Sequence, residues 1–356
     1  MTVMVTGAFG LVGSATVAQL AADGVCVVAT DLDIPANRKA ADTMAGAEVR
    51  YADLTDAAAV DALIGEVAPT AIIHLAAVIA PHCYSRHQLA RKVNVEGTAN
   101  LLAAAVRQPN PPRFILASSV AVYGPRNPHQ IDGLLTADTP VNPYDIYGTH
   151  KVEAEALVRA SDLDWLILRL GGVLTTEISF DINPDFIFFE GLLPTDGRIQ
   201  TVDVRDVARA FAAAAGDAGG KALGETLLIG GDDQTHRLTQ GDVGPATAAA
   251  LGLVGGIPPG RKGDPASATK WFATDWMDTS RAQEVLGYQN ISFPDILRET
   301  ADRAGWKRGL FRVAAPLVHL VLERRSAYHN KPGTHADPWG AVTAKWGDPR
   351  PEANPA

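Results

Sequence analysis

The stretch that decides the fold is VMVTGAFGLVGSATVAQLAA, which runs from Val3 to Ala22. It opens with a short apolar and β-branched run and continues, after a glycine, into an Ala-rich segment of helical period from Leu11 to Ala22. A second apolar run, VCVVATD, follows from Val25 to Asp31. Strand, helix and strand in this order predict the βαβ unit of a parallel sheet.

The same alternation continues well beyond this unit. Its further members are EVRYADL (48–54), AIIHLAA (71–77), a helical stretch over 93–106, RFILASS (113–119), a helix around 151–160 and WLILRL (165–170). Most of these strand runs are continuously apolar, as strands buried on both faces are. We therefore predict an α/β fold, a doubly wound parallel sheet with a smaller mixed C-terminal lobe.

The regular alternation of strands and helices ends after Gly171, and this change predicts the domain organisation. Residues 1–173, with returning segments 198–215 and 225–231, form the sheet domain, and 174–197 and 232–310 form the substrate-binding lobe. Residues 311–356 are expected as a helix and an extended tail. The helix over 314–325 could pack on the body, on a partner or on a membrane surface, and we favour the body. The turn-rich loop 255–265 is expected to leave Arg261 and Lys262 solvated.

Composition excludes several classes of protein. The 356 residues carry 31 basic and 40 acidic side chains, a net charge of −9, which argues against a nucleic-acid partner. No apolar run reaches the length of a membrane span, and the first strand leaves no room for a signal peptide. Two widely separated cysteines suggest neither disulfides nor a zinc site, so we expect a cytoplasmic protein without a metal.

Three glycines, Gly7, Gly10 and Gly13, stand between the first strand and its helix. In this spacing the first permits a sharp turn, the second lets backbone amides approach a pyrophosphate, and the third packs helix against strand. Asp31 ends the second strand 24 residues after Gly7, where a carboxylate accepts ribose hydroxyls and repels a 2′-phosphate. The pattern predicts NAD over NADP, although Asp33 could share the role of Asp31 and the nearby Arg38 keeps NADP open.

A second motif carries acid/base chemistry. Tyr147 and Lys151 lie four residues apart in YGTHK, so on a helix they share one face. A neighbouring ammonium favours a phenolate, and we expect it to lower the tyrosine pKa towards working pH. Ser119, at the end of a strand, can hydrogen-bond the same substrate oxygen.

These motifs together resemble the extended short-chain dehydrogenase/reductase family, which includes NAD-dependent epimerases and dehydratases. Besides the segments above, the resemblance rests on HLAA (74–77), NVEGTANLL (94–102), SSVAVYG (118–124), ILRLGGV (167–173) and VDVRDVARA (202–210), in the family's order over roughly residues 1 to 310. It implies an enzyme with Ser119, Tyr147 and Lys151 as catalytic residues. It also implies a homodimer formed through the Tyr/Lys helix and its neighbour.

The resemblance further implies which residues contact the cofactor. The pyrophosphate would lie against Gly7, Phe9, Gly10, Leu11 and Val12, with Gly13 behind them, and the adenosine ribose on Asp31. Asp53 and Leu54 would flank the adenine, and Leu75, Ala76 and Ala77 would line the cofactor. Tyr147 and Lys151 would hold the nicotinamide ribose, with Gly171, Gly172 and Val173 near the nicotinamide.

Other polar and aromatic residues have plainer interpretations. We expect His74 to be a hydrogen-bonded core residue, Ser118 a structural hydroxyl and Asn94 a helix cap or a residue beside the site. A metal on His82, Cys83 and His87 is not expected, whereas Tyr84 and Arg86 could touch substrate. Phe180 to Glu190 should contribute lobe core, and Asp203, Arg205 and Asp206 should form structural ion pairs.

The sequence leaves three hypotheses about the function open. We favour hydride transfer at a secondary alcohol or ketone by a NAD-dependent dehydrogenase/reductase, with Tyr147 as general acid/base and an apolar small-molecule substrate. A NAD-dependent sugar-nucleotide epimerase is the alternative. The resemblance implies that such enzymes hold the substrate diphosphate with an Asn soon after the LR pair and an Arg before the DVA segment. Here no Asn follows Arg169 and Arg198 is displaced by one position, which weakens this alternative. Dehydratases of the family resembled carry an acidic pair directly after the catalytic hydroxyl residue. Here Val120 and Ala121 follow Ser119, so dehydratase chemistry is disfavoured. A non-catalytic dinucleotide-binding protein is the second alternative.

Overall fold

The computed structural model describes residues 1–177 and 184–351. In chain order its strands are β1 (Thr2–Thr6), β2 (Cys26–Asp31), β3 (Ala47–Tyr51), β4 (Ala71–His74), β5 (Arg113–Ser119), β6 (Trp165–Leu170), β7 (Gly172–Leu174), β8 (Arg198–Asp203), β9 (Thr226–Ile229) and β10 (Arg237–Thr239). Seven of them form one parallel sheet in the order β3-β2-β1-β4-β5-β6-β9. This is a doubly wound, Rossmann-like sheet, and the fold prediction is confirmed.

Helices cover both faces of the sheet. They are α1 (Leu11–Ala22), α2 (Pro35–Ala41), α3 (Ala57–Val67), α4 (His87–Arg91), α5 (Gly97–Val106), α6 (Ile146–Arg159), α7 (Pro184–Glu190), α8 (Val204–Ala215), α9 (Gln240–Leu251), α10 (Ser280–Leu286), α11 (Phe293–Ala304), α12 (Lys307–Arg325) and α13 (Pro338–Trp346). Short 3-10 turns lie at His82–Ser85, Val120–Tyr123 and Ala218–Ala222, and a π-helical turn lies at Lys92–Glu96.

Alternating side chains of the central strand feed the two halves of the core. Val3 and Val5 are fully buried with α1 and α8, whereas Met4 points to the side covered by α3, α5 and α6. Apolar side chains on both faces explain why the strand runs are continuously apolar. Because all seven strands are parallel, their carboxyl ends share one edge, and the strand order reverses between the neighbours β1 and β4.

A second, three-stranded sheet forms outside the main one. In the order β10-β8-β7, β8 pairs antiparallel with β10 and parallel with β7. The expectation that residues 198–215 return whole to the main sheet needs correction, because the strand β8 joins the small sheet and only α8 packs against α1. Strand β9 does return to the main sheet. The division into a sheet domain and a substrate lobe otherwise stays a prediction.

The C-terminal part departs most from expectation. Residues 338–346 are not an extended tail but the helix α13, whose Trp339 is 5% exposed. Lys262 is exposed as expected, but Arg261 is half-buried, since its guanidinium donates to the backbone carbonyls of Tyr328 and Lys331 and stacks on the Tyr328 ring. The tail is polar in composition but is held by these specific contacts.

Helix α12 also differs from expectation, because it does not bury its apolar side on the body. Of its residues only Ala315 is buried, and Val313 and Leu317 are largely exposed. Within the described residues, no helix combines the length and the apolar character that crossing a bilayer requires.

Candidate active site

The glycine loop after β1 has the geometry that its spacing predicts. Gly7 has a φ of +67°, and a Cβ there would come within 2.7 Å of the Ala76 backbone nitrogen. A Cβ on Gly13 would lie 2.0 Å from the Gly7 carbonyl oxygen. At Gly10, by contrast, the nearest atom to an added Cβ lies 3.4 Å away. Gly7 and Gly13 are therefore required by the fold, whereas Gly10 keeps the approach to the helix open.

Helix α1 presents its N-terminus to this opening. The N-cap residue Gly10 makes no side-chain hydrogen bond to the first-turn amides, and no residue of the first turn of α1 is acidic. Free amides and the positive end of the helix dipole make this a suitable place for an anionic phosphate.

Asp31 lies beside the same loop, at the end of β2. Its Oδ2 accepts the Phe9 N–H at 3.3 Å and its Oδ1 accepts the Leu32 N–H at 2.8 Å, so the carboxylate is already oriented. Arg38 is paired with Asp33, with Nη2 2.7 Å from Oδ2, and this arginine holds the pKa of Asp33 below its ordinary value. An open helix N-terminus with a fixed carboxylate next to it fits a dinucleotide without a 2′-phosphate.

The remaining cofactor candidates lie along the carboxyl edge of the sheet. Leu75, Ala76 and Ala77 follow β4 and are half-buried. Asp53 is exposed, where its Oδ1 accepts from the Thr55 N–H and hydroxyl, and Leu54 is buried against α5. Their contacts with a cofactor stay predictions.

Gly171 and Gly172 have a packing role that the sequence did not reveal. A Cβ on Gly171 would come within 2.5 Å of the Gln200 carbonyl oxygen, and one on Gly172 within 2.7 Å of Ile199. Two glycines are thus needed where the chain crosses from β6 to the small sheet, and Val173 packs into the main core.

The structure brings Ser119, Tyr147 and Lys151 together. Ser119 ends β5, and the other two lie one turn apart at the start of α6. The helix approaches the strand end closely because Gly148 has no side chain, since a Cβ there would lie 2.5 Å from the Ala121 carbonyl oxygen. The Tyr147 phenol is hydrogen-bonded to Ser119, and this bond acts to lower its pKa.

Burial dominates the electrostatics of this pair. The Lys151 ammonium donates to the Ala117 carbonyl oxygen at 2.7 Å and lies 5.8 Å from the centroid of the Tyr147 ring. Burial lowers the pKa of Lys151 to about 8, and Glu155 acts in the opposite direction. Burial also raises the pKa of Tyr147, and Cys83 adds to that effect.

The expectation of a lowered Tyr147 pKa is therefore wrong for the described structure. Desolvation of the phenolate is the largest effect on this pKa and outweighs the opposing hydrogen bond from Ser119. Near neutral pH the tyrosine is a neutral phenol and a proton donor.

His74 is the core histidine that its apolar surroundings predicted. Its Nδ1 is 2.7 Å from the Thr6 hydroxyl and its Nε2 2.9 Å from the Thr98 hydroxyl. Burial lowers its pKa to about 3, with a further contribution from Lys151, so the imidazole is neutral.

Asn94 is not a helix cap. It lies inside the π-helical turn Lys92–Glu96, where its side chain accepts the Val78 N–H at 2.7 Å and donates to the Val78 carbonyl at 3.0 Å. A π-turn of this kind often marks a functional site. Here it fixes the loop after β4, next to the expected cofactor edge.

Ser118 has the structural role predicted for it. Its hydroxyl donates to Glu155 at 2.5 Å, and the same carboxylate receives two bonds from Arg169 at 2.8 and 2.6 Å. Although burial raises the pKa of Glu155, the bonds from Arg169 and Ser118 bring it below its ordinary value. This buried ion pair joins β5, β6 and α6 behind the site.

Sequence reasoning missed the residues that hold the start of α6. Asp145 caps the helix by accepting the Gly148 N–H at 2.8 Å, and the Tyr84 hydroxyl donates to the other carboxylate oxygen at 2.5 Å. Tyr84 is 1% exposed, so the expected substrate contact is replaced by a positioning role, whereas Arg86 is exposed at the start of α4. The Pro349 carbonyl accepts the Ile146 N–H at 2.7 Å.

An apolar cluster borders the site on this side, and we call it the C-terminal cluster. Its buried members are Cys83, Tyr84, Ala90, Ile146, Phe189, Leu192, Ala327, Trp339, Ala341 and Val342, with Tyr147 and Trp346 at its edge. Trp339 lies 4.8 Å from Tyr144 and 5.5 Å from Phe272, centroid to centroid. A spacing pattern could not reveal it, because its members come from five separate parts of the chain.

The remaining residues singled out by sequence divide as follows. Asp203 caps α8 and pairs with Arg205, and Asp206 pairs with Arg209, which confirms their structural role. Phe189 is buried in the C-terminal cluster, but Phe186 is half exposed, and Phe180 lies outside the described residues. In the part of the chain described here, no group of side chains could hold a metal ion.

Comparison with known proteins identifies the family to which the chain belongs. The family model for the NAD dependent epimerase/dehydratase family matches residues 3–177. A UDP-glucose 4-epimerase of Mycolicibacterium smegmatis is 31% identical over 315 residues, which span 81% of this chain and 93% of the relative. The chain belongs to the NAD-dependent epimerase/dehydratase family. The resemblance drawn from the motifs is thereby confirmed, and with it membership of an enzyme family whose cofactor is NAD.

Other relatives of the family are similar over different extents. A D-erythronate dehydrogenase of Cupriavidus necator is 34% identical over 104 residues, 28% of this chain and 31% of the relative. A short-chain dehydrogenase/reductase superfamily protein of Agrobacterium tumefaciens, solved with NAD bound, is 25% identical with a TM-score of 0.65, over 89% of this chain and 99% of that one. The Thermus thermophilus UDP-glucose 4-epimerase complex with NAD, at 24% identity, shares the fold with a TM-score of 0.67, over 85% of this chain and 99% of that one.

Proposed function

We propose that the protein is a NAD-dependent dehydrogenase/reductase that acts at a secondary alcohol or ketone, with Tyr147 as general acid/base. The observation that carries the proposal is the convergence of Ser119, Tyr147 and Lys151 beside the carboxyl edge of the sheet. The glycine loop, the start of α1 and Asp31 would hold NAD, whose bound nicotinamide accepts or supplies the hydride.

In the oxidation direction the phenolate form of Tyr147 takes the substrate O–H proton while the hydride leaves the carbinol carbon and a C=O bond forms. Ser119 would donate a hydrogen bond to the substrate oxygen. In the reduction direction Tyr147 donates the proton to the oxygen of the ketone as the hydride arrives at carbon. Because burial raises the Tyr147 pKa, the neutral donor form dominates near neutral pH, which suits reduction. Oxidation should gain rate as pH rises.

The surroundings of Tyr147 support an apolar substrate. Tyr147 lies at the edge of the C-terminal cluster, whose buried side chains are aliphatic and aromatic. Arg198, the side chain considered for a diphosphate, instead donates to the Pro128 and Ile131 carbonyl oxygens and stacks 4.8 Å over the Trp276 ring. A substrate with a diphosphate would find this cation already engaged.

A sugar-nucleotide epimerase is the second candidate, favoured by the Mycolicibacterium relative that matches along nearly its whole length. Both reactions begin with the same hydride transfer from a secondary alcohol. They differ in whether the keto compound leaves or takes the hydride back on its other face.

The distinguishing experiment follows reduced cofactor by absorbance. The purified protein is incubated with NAD and, in parallel, with a panel of apolar secondary alcohols and with UDP-glucose. Net NADH formation with an alcohol, proportional to ketone, supports the proposal. Conversion of UDP-glucose to an epimer without NADH release would instead establish the epimerase and overturn the dehydrogenase.

Assembly and location complete the proposal. We infer a homodimer formed through α5 and α6, which pack side by side, and a reducing cytoplasmic setting in which Cys26 and Cys83 stay free. Sedimentation at equilibrium would return twice the monomer mass, and a monomer at micromolar concentration would contradict the dimer.

A further inference from the structure

Helix α12 is attached to the body along one side. Ala315 is buried, and the His319 Nδ1 lies 2.9 Å from the Gly255 carbonyl oxygen. The end of α9 approaches so closely that a Cβ on Gly252 would come within 2.5 Å of the Arg308 carbonyl oxygen. These contacts fix which side of the helix faces the protein.

The opposite side carries a continuous apolar stripe in solvent. Its exposed fractions are 77% for Trp306, 59% for Leu310, 83% for Val313, 65% for Leu317, 41% for Leu320 and 39% for Val321. Successive members are mostly three or four residues apart, so they lie on one helical face. Soluble monomers rarely leave an apolar patch of this length uncovered, and such patches mark protein or membrane contacts.

The charges around the stripe distinguish these partners. Five basic residues, all exposed, lie on α12. By helical spacing Lys307, Arg324 and Arg325 lie on or beside the stripe, whereas Arg308 and Arg312 share the side of Ala315 and His319. Glu323 is the sole acidic residue in this stretch of sequence. This local excess is opposite to the −9 of the whole chain.

A cleft of ≈ 380 Å³ at the end of α12 extends the basic surface. Arg324, His329, Lys331 and Lys345 line it together with Phe188. Lys345 is paired with Asp185 at 2.8 Å, and Arg324 and Lys331 add to the positive potential beside the apolar stripe.

We propose that α12 docks the protein on the surface of an anionic lipid membrane. The helix would lie in the plane of the interface, with the stripe from Trp306 to Val321 among the acyl chains. The flanking arginines and lysines would reach the lipid phosphates. A tryptophan at one end and basic residues at both ends are the features that favour this position. The proposal does not depend on the reaction that the active site performs.

The test measures sedimentation of the full-length protein with vesicles. We expect binding to vesicles of phosphatidylcholine mixed with phosphatidylglycerol, weaker binding to phosphatidylcholine alone, and release as salt rises. A Val313→Glu/Leu317→Glu variant should lose about tenfold or more in affinity, because two glutamates replace apolar contacts and oppose anionic lipid. Leu223→Glu, at an exposed apolar side chain in another part of the chain, is the matched control and should bind as the wild type does.

A second readout locates the contact. The fluorescence of Trp306, obtained by difference against Trp306→Phe, should shift to shorter wavelength with anionic vesicles. Absence of binding to anionic vesicles would overturn the proposal. It would equally be overturned if the glutamate variant kept its vesicle affinity but changed from dimer to monomer, since the stripe would then be a contact between copies.

Discussion

At the scale of single residues, the site is governed by what burial does to two neighbouring groups. It raises the pKa of Tyr147 and lowers that of Lys151 to about 8, so both are displaced towards their neutral forms. Keeping an ammonium in this position therefore costs stability. The same position lets Lys151 reach the Ala117 carbonyl and the tyrosine ring.

This cost gives a prediction for Lys151→Met. The displacement of the Lys151 pKa from 10.5 to about 8 corresponds to a destabilisation of the folded protein by about 3 kcal/mol at neutral pH. Lys151→Met removes this cost but also loses the hydrogen bond to Ala117, which contributes about 1 kcal/mol. The unfolded chain holds this proton up to higher pH than the folded one, so wild-type stability rises between about pH 8 and 10.5. The inactive variant should be more stable at pH 7 by about 2 kcal/mol and lose that advantage by pH 10.

Urea unfolding of both proteins at the two pH values checks it. Lys39→Met, at an exposed lysine on α2, is the control and should follow the wild type. A variant that is less stable at pH 7, or whose advantage does not shrink at pH 10, contradicts the account of Lys151.

The glycine loop allows a matched pair of substitutions. Gly13→Ala places a Cβ 2.0 Å from the Gly7 carbonyl oxygen, and we expect a loss of about 3 kcal/mol or more in the free energy of unfolding. Gly10→Ala meets nothing closer than 3.4 Å, so stability should change by less than about 1 kcal/mol while NAD binding weakens. Denaturation and NAD titration of the two variants measure this difference, and equal destabilisation would argue against the assigned roles.

At the scale of elements, the start of α6 is held by contacts from separate parts of the chain. Asp145 caps the helix, Tyr84 fixes that carboxylate, and the Pro349 carbonyl accepts the first helical N–H. The C-terminal segment therefore takes part in positioning Tyr147 although it lies some two hundred residues further along the chain.

Helix α13 should contribute measurably to this support. Trp339→Ala removes a side chain that is 5% exposed and packed on Tyr144 and Phe272, and we expect a loss of about 3–5 kcal/mol. Trp306→Ala, at a side chain 77% exposed, is the control and should change the free energy of unfolding by less than about 0.5 kcal/mol. Similar thermal midpoints for the two variants would show that α13 is only loosely attached.

Helices and strands that are determined by local sequence pattern are predicted well, and those that depend on distant contacts are not. The bounds of α1, β5 and β6 follow from local periodicity and match the expected residues. Helix α13 was missed because its stability comes from Trp339 in a distant cluster and not from its own composition. Strand β8 reads as a strand, but local pattern does not say which sheet it joins.

The candidate site shows the same limit. Spacing alone brings Tyr147 and Lys151 onto one helical face, and the resemblance adds Ser119. Neither predicts that burial raises the Tyr147 pKa, because desolvation depends on the whole surrounding fold. Tyr84 and Pro349 lie outside any motif.

At the scale of the whole molecule, the cofactor edge and the substrate side are built from different parts of the chain. The parallel sheet presents the glycine loop and Asp31 at its carboxyl edge. Segments from α7 to α13 supply most of the C-terminal cluster next to Tyr147, together with Cys83, Tyr84, Ala90 and Ile146. Because ligand binding to the native state opposes unfolding, cofactor choice can be measured as global stability.

We predict that NAD at a hundred times its dissociation constant stabilises the protein by about 2.7 kcal/mol and that NADP does so less at equal concentration. Asp31→Ala should narrow the difference between the stabilisation by NAD and by NADP. The carboxylate that accepts the Phe9 and Leu32 N–H groups is then gone and no longer repels a 2′-phosphate. Thermal unfolding with each cofactor measures it, with the exposed Asp23→Ala as control. An unchanged preference in Asp31→Ala would remove Asp31 from the cofactor site.

The central claim is that Tyr147 moves the proton that accompanies hydride transfer, and Tyr147→Phe tests it most directly. The measurement is turnover with NAD and an active substrate, beside NAD affinity by titration, with Tyr144→Phe as the matched control three residues away. We predict that Tyr147→Phe loses turnover by a factor of about 10² to 10⁴ and keeps NAD affinity close to that of the wild type. Turnover that survives intact in Tyr147→Phe would contradict the account.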